Sequence, residues 1–162
     1  MNEKDFVYIR LGRRFQRIPA DMRGMYLSFV EDELFLSRER LDGYEPIGVV
    51  IDQIGTMLTI AEYKTSGPMN LEPAMKPKDI TFGYIKAHCE LPSRQELLQM
   101  YEQKNKFPEF VGWLWSKEEY ASGYPYGLSW YNSSMFNASR GTSNYVRRVF
   151  HISIKSLFVQ DL

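Results

Sequence analysis

A chain of 162 residues is the size of one domain, or of one domain with an attached arm. Its 20 lysines and arginines are matched by 20 aspartates and glutamates. There is thus no basic surplus of the kind that nucleic acids and anionic membranes select through counterion release. Hydrophobic residues make up 44% of the chain and aromatic residues 15%, which argues for a filled core and against disorder. Cys89 is the only cysteine, so an intrachain disulfide and a multi-cysteine metal site are both excluded. The start, Met1-Asn2-Glu3-Lys4-Asp5, lacks the pattern of a signal peptide, and no stretch of about 18 apolar residues occurs. The expectation is synthesis and folding in a cytoplasm, with residence there or in a virion.

Phe6-Val7-Tyr8-Ile9-Arg10-Leu11 is β-branched and aromatic enough for a strand, and Arg10, Arg13, Arg14 and Arg17 form a basic cluster behind it. Met25, Leu27 and Phe29 alternate, Glu31-Asp32-Glu33 can turn, and Leu34-Phe35-Leu36 can return, which predicts a hairpin over 22–37. Leu41-Asp42-Gly43-Tyr44-Glu45-Pro46 is the best candidate boundary, dividing an arm (1–45) from a domain (46–162). Strands are predicted at 47–51 and 57–63, and a long loop at 64–80, where Gly67, Pro68, Pro73 and Pro77 interrupt any period.

Ser93-Arg94-Gln95-Glu96 is a capping box, predicting a helix that ends near Lys104-Asn105, before Pro108. From Gly112 onward the chain reads as strands and turns. Trp113 and Trp115 should share one strand face, and Trp130-Tyr131 should begin a further strand. Residues 137–144 read as a hairpin loop, and Tyr145–Ile152 as one closing strand.

Catalytic and metal-binding patterns are weak. His88, Cys89 and His151 are the strong nitrogen and sulfur donors, and neighbours in an extended chain point to opposite sides, so no metal site and no cofactor are expected. No phosphate-binding glycine motif and no G-x-S-x-G elbow occurs. A hydrolase-like enzyme using Cys89, His88 or His151 stays open as an alternative, while a lone cysteine between Ala87 and Leu91 is ordinarily a small core residue. Trp113, Trp115, Tyr120, Tyr124, Tyr126, Trp130 and Tyr131 crowd into 19 residues among Ser, Gly and Asn. Such rings either fill a core or build an adaptable contact surface.

The order of several short segments carries a resemblance. Pro46-Ile47-Gly48-Val49-Val50 is followed by Ile60-Ala61, by Leu91-Pro92-Ser93-Arg94-Gln95-Glu96-Leu97, by Trp115-Ser116-x-x-Glu119, by Trp130 and by Tyr145-Val146-Arg147-Arg148-Val149. Over residues 46–152 this resembles the family named for the C-terminal domain of a Legionella collagen-like adhesin, with its Fibrobacter and Bacteroides paralogues. The resemblance implies an α+β fold of the C-type-lectin-like kind, also similar to the formylglycine-generating enzyme. Short antiparallel strands, long loops and one or two helices would build it, with 117–144 as loops.

The enzyme's cysteine pair has no counterpart beside Cys89. Glu72-Pro73-Ala74 and Trp130-Tyr131-Asn132 stand where calcium-dependent lectins carry paired oxygens, so calcium-dependent sugar binding does not carry over. What the resemblance implies is a non-enzymatic recognition or assembly module, most of all a bacteriophage fibre, tail or head-decoration protein. It would bind a protein, a host glycan or a receptor through Tyr120, Tyr124, Tyr126, Trp130, Tyr131, Asn132, Arg140 and Asn144. Residues 1–45 would attach it to other virion or surface proteins or to its own copies, a trimer being one form. A host protein on the same scaffold is the remaining alternative.

Overall fold

The computed structural model describes residues 8–11, 20–121, 124–137 and 142–157. It is a mixed α+β structure of mostly antiparallel strands with two helices. The first sheet has six strands in the order β1 (Tyr8–Leu11), β3 (Glu33–Ser37), β2 (Tyr26–Val30), β4 (Gly48–Ile54), β5 (Met57–Glu62) and β13 (Val149–Ser153). The predicted hairpin over 22–37 is β2 and β3. Its two-residue turn places Glu31 at φ 50° and Asp32 at φ 65°, the paired positive angles whose twist suits a tight antiparallel connection.

Successive strand residues point to opposite faces, and this sheet is covered on both. On one face Leu27, Leu34, Leu36, Val50, Leu58, Ile60, Phe150 and Ile152 form a core with Phe82, Ile85, Ala87 and Cys89. Those four come from the hairpin of β7 (Lys78–Phe82) and β8 (Ile85–Cys89). On the other face Val49, Ile51, Ala61 and Val149 pack with Leu97 and Met100 of the helix α2 (Arg94–Glu102). Each such apolar side chain contributes about 1.5–3 kcal/mol on burial, and that contribution, far more than helix propensity, holds nine residues helical.

The second sheet has the order β11 (Met135–Asn137), β10 (Tyr124–Ser129), β9 (Trp113–Ala121), β12 (Asn144–Val146) and β6 (Ser66–Met69). It supplies Leu114, Leu128 and Trp130 to the core beneath α2. A smaller cluster joins Trp115 and Val146 to Leu71 and Ala74 of the short helix α1 (Leu71–Ala74).

Several expectations change. The stretch 64–80 is not a bare loop: β6 pairs with β12, and α1 follows it. β6 is an edge strand, a position in a sheet that tolerates Pro68. The stretch 117–144 is not a set of loops either, because β9 runs to Ala121, β10 occupies 124–129, and Trp130 and Tyr131 lie in the turn after it.

The predicted strand 145–152 is two strands in two sheets. The chain leaves β12 at Arg147-Arg148, where Arg148 N–H donates to Glu62 Oε1 at 2.9 Å, and enters β13 of the first sheet. The division at residue 45 falls inside one sheet and one core, since β2 pairs with β4 and Met22, Met25, Leu27, Leu34 and Leu36 pack with Leu58 and Phe150. From residue 20 onward the expected arm is therefore integral to the fold. Arg13, Arg14 and Arg17 lie outside the described residues.

Candidate functional site

The aromatic stretch divides into anchors and exposed rings. Trp130 is 1% exposed and is ringed by Tyr101, Phe107 and Phe110 at centroid distances of 5.7, 5.8 and 6.2 Å. Arg147, also 1% exposed, lies over Phe107 at 4.2 Å and over Trp130 at 4.9 Å. Burial pulls its proton affinity below the ordinary arginine value, against the opposing charge of Glu62; the two ring faces and the Tyr63 carbonyl, 3.3 Å from Nη2, are its contacts, while Nε and Nη1 are buried without a hydrogen-bond partner.

The turn after Trp130 is tied down by backbone and side chains together. Lys104 Nζ donates to the Trp130 carbonyl at 2.7 Å, Tyr101 Oη to the Tyr131 carbonyl at 3.4 Å, and Ser134 N–H to Asn132 Oδ1 at 3.0 Å. Ser133, at φ 60°, closes the turn by donating its N–H to the Ser129 carbonyl. On this held turn Tyr131 is 79% exposed. Trp130 N–H donates to the Gly112 carbonyl and Ser129 pairs with Trp113, and beyond these last contacts of the ladder Val111, 87% exposed, lies two residues before β9 and Tyr131 two residues after β10. A ring and a valine thus share one end of the β9–β10 ladder with no core to enter.

Of the eight residues expected to form one recognition surface, the six whose side chains are described do not converge. Trp130 and Asn144 are buried, and Trp130 is a core anchor that leaves no face for a ligand. Tyr131 and Asn132 are exposed on the turn, whereas Tyr124 is exposed at the opposite end of β10, roughly 16 Å away along the strand. Tyr126 lies between, its ring 4.8 Å beneath the Arg94 guanidinium and its hydroxyl accepting from Arg94 Nη1 at 2.8 Å. Tyr120 is described in its backbone alone, and Arg140 lies outside the described residues, as does most of the predicted loop 137–144. Trp115 is fully buried, with Nε1–H donating to the Met69 carbonyl, while its expected face-mate Trp113 is half-buried.

A concave site lies at the other end of α2. Ser93 Oγ accepts from Glu96 N–H at 3.1 Å and Glu96 Oε1 accepts from Ser93 N–H at 2.8 Å, so the predicted capping box is formed. The second oxygen of Glu96 accepts from His151 Nε2 at 2.7 Å, which clamps the first turn of α2 to β13. Beside this clamp a groove of about 290 Å³ opens where the sheet runs on past the helix, walled by Asp52, Thr59, Gln99, Lys117 and the exposed Ile54 and Met57. Sequence reasoning singled out His151 but not its partner, because 55 residues separate it from Glu96.

The three donors considered for catalysis face different ways. Cys89 is wholly buried, and burial pushes its thiol up to about 12, so at neutral pH it is a core thiol and not a thiolate. His88, its neighbour, points outward to Asp79 at 2.8 Å and Glu90 at 3.3 Å; the Asp79 hydrogen bond raises its pKa. Among the described residues no group of three or more His, Cys, Asp or Glu is placed to hold a metal ion. Among the described residues no helix is long and apolar enough to cross a membrane. No described protein family matches the sequence, and no curated protein matches it either.

Proposed function

We propose that the protein is a non-enzymatic recognition or assembly module, a structural component of a bacteriophage particle that binds another protein or a glycan. The observation that carries this reading is the exposure of Val111 and Tyr131, 87% and 79%, at one end of the β9–β10 ladder, Tyr131 on a turn whose backbone Lys104 and Tyr101 hold in place. Large apolar side chains held rigidly in solvent cost little entropy when a partner covers them. Asn132 and the Tyr131 backbone add polar contacts at the same place. The particle assignment rests on the adhesin resemblance of the segments between Pro46 and Val149, and gene neighbourhood among virion-assembly genes is the observation that supports or removes it.

Relative to the expectation from sequence, the surface is smaller and differently composed: Tyr131 and Asn132 remain, Val111 joins them, and Trp130 serves from below. The double variant V111S/Y131A tests it in a comparison of particle incorporation and of binding to host cells. Both side chains project into water, so the melting temperature should stay within about 2 °C of the parent while incorporation or binding falls at least about tenfold. Undiminished incorporation and binding would overturn the assignment of this surface.

A further inference from the structure

We propose that the groove beside the N-terminus of α2 is a second contact site, independent of the Tyr131 turn, which receives a basic side chain, arginine or lysine, from a partner protein. The wall holds two carboxylates, those of Asp52 and Glu96, and one lysine, Lys117. Glu96 is spent: its oxygens accept from Ser93 N–H and from His151 Nε2. The Asp52 side chain is not spent, for among the described residues it makes no hydrogen bond or ion pair, its only pairing being the backbone ladder to β5. Arg23, whose field reaches Asp52, is itself held by Asp21 at 2.9 Å.

The open requirement of the groove is therefore positive charge at Asp52, from a group that also donates hydrogen bonds. Arginine offers five N–H donors and lysine three, and neither has an acceptor to waste.

The rim fits the rest of such a side chain. Ile54 is 75% exposed and Met57 45% exposed, and they pair across the β4–β5 turn at the lip of the groove. Long basic side chains lay their methylene stems on apolar surface of this kind while the charged head reaches a polar partner. An anion or a purely apolar group would leave Asp52 as it is, so the open carboxylate favours the basic side chain.

The test follows the histidine ring signals in the full-length protein, His88 and His151 being the only two, with H151Q for assignment. Nα-acetyl-arginine methylamide and its lysine counterpart are titrated in, against the norleucine and glutamate counterparts. The expected result is a saturable shift of the His151 signal by the two basic compounds at millimolar concentration, with His88 unmoved. D52N, a substitution in a half-exposed side chain, should weaken that binding at least about fivefold without changing the fold. No shift with either basic compound up to about 50 mM, an equal shift from norleucine, a shift from glutamate, or D52N binding like the parent would each overturn the proposal. V111S/Y131A should titrate like the parent, which separates failure of this site from failure of the Tyr131 surface.

Discussion

The two ends of α2 carry the two candidate contact sites, and they are built in opposite ways. At the C-terminal end an apolar pair, Val111 and Tyr131, stands in water on a polar framework of Lys104, Tyr101 and Asn132. At the N-terminal end a polar floor of Asp52, Glu96 and His151 lies within an apolar lip of Ile54 and Met57. Nine residues of helix, about 13 Å, separate them. The difference shows one rigid element serving as the ruler for two chemistries, the first set by a buried tryptophan and the second by a capping box.

The largest effect expected from breaking one end alone is that of Trp130→Ala. It removes the ring on which Tyr101, Phe107, Phe110 and Arg147 converge and should cost about 3–5 kcal/mol in denaturant unfolding. The His151 signals should hold their native positions in the folded fraction; their collapse would mean that the two ends are not separable. Ser93→Ala works on the other end. Loss of the cap should cost about 1 kcal/mol and perturb the His151 ring through Glu96, with no change in the fluorescence of Trp130.

Thiol labelling sharpens the comparison further, because Cys89 lies in the core on the opposite face of the first sheet. It should react only as fast as the protein unfolds, and rapid labelling of the folded protein would contradict its burial. The smallest effect belongs to His88. Its pKa is raised in the folded state, so any stability it contributes is complete below the unfolded value and is lost as pH rises through the folded one. Asp79→Asn should move the His88 titration midpoint down toward the ordinary histidine value and leave the melting temperature nearly unchanged. An unmoved midpoint would show that Glu90, and not Asp79, governs it.

Local features were legible in the sequence. The capping box needs four adjacent residues, Ser93 to Glu96, and the β2–β3 turn needs only Glu31 and Asp32 between two apolar runs. What depends on distant pairing was not. The segment 145–152 is uniformly β-prone, and it changes sheet at Arg147-Arg148, where the Arg147 guanidinium is buried against two ring faces, which no periodicity announces. The hairpin 26–37 was visible as a hairpin, but its place beside β4, and hence its membership of the core, is a tertiary fact.

The candidate sites follow the same rule. Tyr131 was visible as a candidate contact ring, though at the start of an expected strand and not in a turn, and His151 as a donor. Val111 acquires meaning only through the β9–β10 pairing that brings its end of β9 beside the end of β10, and Glu96 only through a contact 55 residues away. Trp130 misled as a surface residue because composition alone does not say which rings of a crowded segment turn inward; the β9–β10 ladder and the ring cluster decide it.

The recognition surface at the Tyr131 turn is tested most directly by photo-crosslinking from that position. A benzophenone amino acid is placed at Tyr131 in the full chain, with a control at the exposed Lys155, during production of the assembled particle or contact with the host cell. The account predicts one discrete adduct from position 131 that disappears when Val111 is changed to Ser, and none of the same mass from position 155. No adduct from 131, or the same adduct from both positions, would contradict it.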